Sequence, residues 1–163
     1  MTEAEGSSSA HKPAIAAISK PQEPHRNSPG GALSKKMSTL ARSDTAPEMA
    51  LRRALHRHGM RYRVQLPTPT NRRRKIDVAF TRAKVAVFVD GCFWHGCPAH
   101  GTRPASNPEW WDWKIKRNRD RDADTNLMLK EVDWEVVRVW EHADPEAAAA
   151  TIKRIVDERR STG

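Results

Sequence analysis

Val85-Ala86-Val87-Phe88-Val89-Asp90-Gly91-Cys92-Phe93-Trp94-His95-Gly96-Cys97-Pro98-Ala99-His100 sets an unbroken apolar run directly against both cysteines and two histidines. Five apolar residues without polar alternation read as a strand covered on both faces, as in the middle of an α/β sheet. Upstream, Ile76 to Phe80 is a second short run rich in β-branched and aromatic residues, and Thr81-Arg82-Ala83-Lys84 between the two predicts a strand hairpin. Further back, Thr45-Ala46-Pro47-Glu48 has the pattern of a capping box with proline in the first turn. Leu51, Ala54, Leu55 and His58 then follow at helical spacing, and Gly59 supplies a stop. Leu66 to Arg74 is expected to be a loop.

On the C-terminal side, Pro108 to Lys130 reads as two charged helical stretches and Asp133-Trp134 as a turn. Glu135 to Trp140 reads as a third strand, and Pro145 to Arg159, with Ile152, Ile155 and Val156, as a closing helix. Helix, two strands, helix, strand, helix implies an α/β sandwich.

The chain has 163 residues, 29 Lys+Arg against 20 Asp+Glu, and a formal charge of +9. Residues 1–32 contain no aromatic residue and are dominated by Ser, Ala, Pro and Gly; they are expected to form a disordered tail before one domain spanning 33–163. The acids of that tail cancel its bases, so the charge belongs to the domain, and an isoelectric point near 10.1 points to a polyanion such as nucleic acid. No apolar run approaches the ~20 residues of a membrane span. Two cysteines do not make a secreted disulfide scaffold, so a cytoplasmic protein is expected.

Cys92, Cys97 and His100, with His142 beyond the third strand, offer a tetrahedral Zn²⁺ set; two unconnected thiols or an occasional disulfide are the alternatives. Asp77 and Asp90 fall at one end of the hairpin, where carboxylates suit Mg²⁺. His95 is a candidate base for activating water, with Asp122 to orient its ring; a solvated Asp77 and a His95 belonging to the cysteine cluster are the ordinary readings. At Glu48 the helix cap is sufficient explanation. Phe93, Trp94 and Trp111 could insert between bases or belong to the core, whereas Trp134 and Trp140 are assigned to packing. Arg72-Arg73-Arg74-Lys75 is either a solvated loop or a grip on a phosphate.

Taken together, Ser34-Lys35-Lys36-Met37, Asp44 to Glu48, Val87 to Pro98, Trp111, Lys114-Ile115, Asn118, Arg121-Asp122 and Val139 to His142 resemble, in order, the very-short-patch repair (Vsr) family of DNA mismatch endonucleases. The resemblance implies a restriction-endonuclease-like α/β core, a central mixed sheet flanked by helices with a structural zinc site. It implies nicking of the thymine strand at T·G mismatches in double-stranded DNA. Asp77 and the main-chain carbonyl of Val89 would hold catalytic Mg²⁺, His95 would activate water with Asp122 behind it, and Glu48 would lie near that centre. Asp90 stands where another member has histidine, as a ligand, a supporting group or a cap. Cys92, Cys97, His100 and His142 would hold Zn²⁺, and Phe93, Trp94 and Trp111 would wedge into the duplex. A cytosine DNA methyltransferase system and general repair proteins are the implied partners, and a monomer is expected. Ile76 replaces a family proline, Pro67 to Asn71 replaces a Leu-Pro-Gly turn, and Asp133 replaces a glycine, a position where Asp tolerates a left-handed backbone. A less selective nicking enzyme, or a zinc-containing DNA-binding module without catalysis, are the competing readings.

Overall fold

The computed structural model describes residues 22–25, 43–102 and 104–162. Most of the expected tail, and the Ser34 to Met37 motif, lie outside the described residues. The order is α1 (Ala46–Arg57), β1 (Arg63–Pro67), β2 (Lys75–Phe80), β3 (Val85–Asp90), α2 (Pro108–Glu131), β4 (Glu135–Trp140) and α3 (Pro145–Ser161). The four strands form one mixed sheet in the order β1-β2-β3-β4; β1 and β2 pair antiparallel, as do β2 and β3, whereas β3 and β4 are parallel. A parallel pair needs a long crossover, and α2 supplies it.

The alternation along β3 divides the core. Val85 and Val87 face a cluster with Leu51, Leu55, Ile152 and Val156 from α1 and α3; Ala86 and Phe88 face a second cluster with Leu129 of α2 and Trp134. Helices therefore cover both sheet faces, which is why β3 carries no polar residue before Asp90. Fully burying a side chain such as Leu55, Ile76 or Phe80 contributes roughly 1.5–3 kcal/mol, enough for these two layers to dominate the stability.

Three local expectations are corrected. Pro108–Glu131 is one continuous helix of 24 residues rather than two stretches; apart from the half-buried Lys114 and Asp122 its charged residues are exposed, and nothing in the run breaks the backbone ladder. Arg63–Pro67 is a strand, inside a stretch partly expected to be loop, because an edge strand needs apolar cover on one face only and accepts a terminal proline. At the start of α1, the Thr45 side chain makes no cap bond; Glu48 Oε2 instead accepts the amide of Asp44 at 2.9 Å, one residue earlier than a capping box places it. Gly59 ends α1 at φ +70°, and Asp133 takes the left-handed turn at φ +63°. No described helix is long and apolar enough to cross a membrane.

Candidate active site and metal centre

Antiparallel pairing of β2 with β3 brings the start of β2 beside the end of β3. A cavity of about 520 Å³ opens at that end of the sheet, and its lining includes Glu48, Asp77, Val89, Asp90, His95 and Asp122. Residues spread over more than seventy positions of sequence meet there. His95 sits between two acids: its Nδ1 lies 2.6 Å from Asp122 Oδ2, on α2, and 3.8 Å from Asp90 Oδ1, the last residue of β3. Arg138 of β4 closes the set, with Nη1 2.7 Å from Asp90 Oδ1 and Nη2 3.4 Å from Asp122 Oδ1, and its guanidinium stacks 4.9 Å from the Phe88 ring. Burial pushes the Asp122 carboxyl up, but the His95 bond and the Arg138 charge outweigh it and hold the group below its ordinary value. Asp122 is thus ionised at neutral pH, so the shared proton sits on Nδ1 and Nε2 is left as the basic nitrogen.

The loop carrying His95 is held by α2. Asn118 Nδ2 donates to the Trp94 carbonyl at 3.0 Å and Arg119 Nε to the His95 carbonyl at 3.0 Å. Gly96 adopts φ +60°, and a Cβ there would come within 2.7 Å of Arg119 Nη2, so the turn that aims His95 requires glycine. Breaking the Arg138 link should be measurable. Arg138→Met leaves Asp90 and Asp122 facing one another across His95, and urea denaturation is expected to show a loss of about 2 kcal/mol, below the full cost of a buried pair because Arg138 stays partly exposed.

Asp77 occupies the same cavity but is held separately. Its Oδ2 accepts the Val89 amide at 2.9 Å and its Oδ1 accepts Gln65 Nε2 at 3.3 Å. Burial raises its carboxyl to about 6; the Val89 N–H opposes this, while the charges of Glu48 and Asp90 add to it. Glu48 is buried and paired with Arg52, Nη2 to Oε2 at 3.3 Å. The capping reading of Glu48 therefore accounts for one bond and misses its place in the cavity wall. Four acids lining one basin, Glu48, Asp77, Asp90 and Asp122, suit a divalent cation with oxygen ligands. Of the basic run, Arg74 is tied to Asp124 at 2.6 Å and to the Thr125 hydroxyl at 2.7 Å, while Arg73 and Lys75 are exposed at the cavity rim.

Cys92, Cys97, His100 and His142 form a second group, with one donor atom from each lying within 4.8 Å of all the others. Cys92 Sγ is 3.0 Å from His142 Nδ1, and Cys97 Sγ is 3.9 Å from Nδ1 of both His100 and His142. Both thiols are free. Burial, with the Cys97 thiol and the Glu141 carboxylate beside it, pushes Cys92 up to about 11. In Cys97 burial also raises the thiol, but backbone N–H groups at His100 and Ala99 outweigh it and bring it below its ordinary value. Two sulfurs and two imidazoles at this spacing fit a tetrahedral Zn²⁺.

Phe93, Trp94 and Trp111 form one aromatic cluster, with Phe93 5.1 Å centre to centre from each tryptophan, both edge to face. Trp111 is buried, whereas Phe93 and Trp94 are half-buried. Trp110, beneath them, donates its indole N–H to Glu23 at 2.9 Å, so part of the 22–25 segment touches this cluster. Trp134 is a core residue as expected. Trp140 is only half-buried and stacks on His142, so it supports the cysteine–histidine group rather than the main core.

With this geometry in place, comparison with known proteins is decisive. Residues 31–100 match the family model described as DNA mismatch endonuclease Vsr. The type II nicking enzyme V.NaeI of Lentzea aerocolonigenes is 46% identical over 121 residues, covering 73% of this chain and 73% of its own. The chain belongs to the Vsr family. It is also 37% identical over 131 residues to the type II nicking enzyme V.XorIIP of Xanthomonas oryzae, covering 74% of this chain and 89% of that one. The DNA mismatch endonuclease Vsr of Escherichia coli is 35% identical over 111 residues, 68% of this chain and 69% of that one. As a Vsr family member the protein is a DNA endonuclease. Arg138, which lines the cavity, and Gln65, which bonds Asp77 from β1, were not singled out by sequence reading. Arg138 carried a signal, a lone charge between Val137 and Val139 in an otherwise apolar run; Gln65 carried none.

Proposed function

We propose that this Vsr family member is a Mg²⁺-dependent, zinc-stabilised endonuclease that nicks the thymine-containing strand at T·G mismatches in very-short-patch DNA repair. The observation that carries this reading is the Asp122–His95 pair, set in the same cavity as Asp77. Asp122 keeps the ring in one tautomer and stabilises the imidazolium; Nε2 takes the proton from a water whose oxygen attacks phosphorus, and the P–O bond to the departing sugar oxygen breaks. Asp77 and the Val89 carbonyl are the proposed holders of Mg²⁺. When bound, the ion neutralises charge developing on the phosphate and lowers the pKa of water. Glu48 and Asp90 supply negative charge around that position, with Asp90 Oδ1 also engaged by Arg138 and facing His95. Cys92, Cys97, His100 and His142 would hold Zn²⁺, fixing the loop that aims His95. Phe93 and Trp94, backed by the buried Trp111, are positioned to enter a base step, which costs least where a wobble pair already weakens stacking.

A strand-resolved assay on a T·G duplex tests the whole reading. Nicking is expected on the T strand only, with a matched T·A duplex intact and with binding retained when His95→Ala abolishes cleavage. The relatives called type II nicking enzymes favour a second reading, a nicking endonuclease of the same fold with looser mismatch choice; equal cutting of matched and mismatched duplexes would select it. Mismatch binding without any nick under any divalent ion would leave only a DNA-binding module.

A further inference from the structure

β1 contains a backbone anomaly opposite Asp77. Gln65 lies in the middle of the strand with φ +49°, a left-handed conformation that a non-glycine residue adopts only at a cost and almost always in turns. The pairing with β2 runs Val64↔Val78 and Leu66↔Ile76, and the step omitted between them is Gln65 against Asp77. β2 is irregular at the same level: Ile76 and Val78, two residues apart and expected on the same face, enter opposite core clusters. At this kink the Gln65 amide reaches Asp77 Oδ1 at 3.3 Å while the Val89 N–H holds Oδ2 at 2.9 Å, so one donor fixes each oxygen of the carboxylate. Glycine would satisfy the backbone without strain, and the side chain is what glycine lacks.

We propose that Gln65 is a positioning residue: its left-handed backbone aims a neutral amide at Asp77, locking the carboxylate in one rotation so that a divalent cation meets a preset ligand. Neutrality matters here. Lysine or arginine at the same place would hold the carboxylate equally well, but would add a positive charge where Asp77, Glu48 and Asp90 together favour a cation. The inference rests on Asp77 being a metal ligand, as proposed above.

Gln65→Gly is the discriminating variant, because it suits φ +49° and removes the side chain that carries the amide. Its thermal midpoint without divalent ion should equal or exceed that of the wild type, and its affinity for a T·G duplex should be unchanged. The rise in thermal midpoint on adding MgCl₂ should shrink, and the MgCl₂ concentration giving half-maximal nicking should increase about tenfold or more, with most of the rate recovered at saturation. Gln65→Lys is expected to hold the metal-free protein at or above wild-type stability and to lose the MgCl₂ response altogether. If Gln65→Gly keeps the wild-type MgCl₂ midpoint for nicking and the wild-type thermal response, the positioning role is overturned and the kink is structural only. Asp77→Ala, run alongside, separates the two layers of argument: if it responds to MgCl₂ as the wild type does, Asp77 is not the ligand and both readings fall.

Discussion

Asp77→Asn is expected to abolish nicking while making the metal-free protein more stable above pH 6. The loss of activity should be about a thousandfold or more, since removing a metal-holding carboxylate forfeits several kcal/mol of charge stabilisation at the phosphate. The gain in stability comes from the opposite side of the same environment. Burial, reinforced by Glu48 and Asp90, holds the Asp77 carboxyl at about 6 in the folded protein, against 3.8 as its ordinary value. Between those two values the folded state binds more protons than the unfolded one, so stability is fully present below about pH 4 and is lost as pH rises through 6. At neutral pH the ionised form costs on the order of 2–3 kcal/mol, and an asparagine removes most of it while keeping the Val89 N–H bond. Denaturation curves at pH 5 and pH 8 check this: the difference between wild type and Asp77→Asn should be larger at pH 8 by about 1.4 kcal/mol. Adding MgCl₂ should raise the midpoint of the wild type and leave the variant where it was, which reverses or narrows their order. A variant that is less stable than the wild type at pH 8 without metal would show that Asp77 is a structural acid.

That conflict between stability and chemistry also explains what was legible in one dimension. The sheet interior was readable because β3 is buried on both faces and its composition has to say so; the hairpin and the closing helix follow from the same pattern. β1 escaped because an edge strand with a left-handed residue in its middle has no regular period to detect. In the site, His95 and Asp122 stood out through chemistry that motifs carry, whereas their mutual 2.6 Å contact depends on α2 crossing the sheet end, which no local pattern encodes. Arg138 was visible as a misplaced charge but had no legible partner, because its partners Asp90 and Asp122 lie 48 and 16 residues away in sequence. At Glu48 the cap alone exhausts what local sequence can explain, and only the family resemblance pointed to the cavity; one carboxylate serves both the helix start and the cavity wall.

Removing Zn²⁺, or one of its ligands by Cys92→Ala, is expected to cost on the order of 4 kcal/mol, in the range reserved for loss of a metal or a disulfide. The loop between Gly91 and Gly101 contains no helix or strand of its own. Its backbone bonds are short-range turns, such as the Cys97 amide on the Cys92 carbonyl at 2.8 Å and the Gly101 amide on the Cys97 carbonyl at 2.8 Å. Its side-chain anchors are Asn118, Arg119 and Asp122 of α2 and, on the other side, Glu141, whose Oε1 accepts the Cys92 amide at 2.6 Å. Without a cation, burial beside the Glu141 carboxylate favours protonated sulfur at Cys92, and the cluster loses the attraction that draws His142, just beyond β4, to Cys92. A thermal scan should therefore show a midpoint lower by roughly 10 °C or more after chelation, recovered with stoichiometric ZnCl₂ but not with MgCl₂. Nicking should fall with it at temperatures well below unfolding, since His95 sits inside this loop, and metal analysis of the folded protein should return one Zn²⁺ per chain. Cys97→Ala should behave likewise, whereas Asp77→Asn should leave the zinc content untouched. A folded, fully active protein free of zinc would show instead that the four ligands are held by packing, and that the aim of His95 comes from Asn118, Arg119 and the Gly96 turn alone.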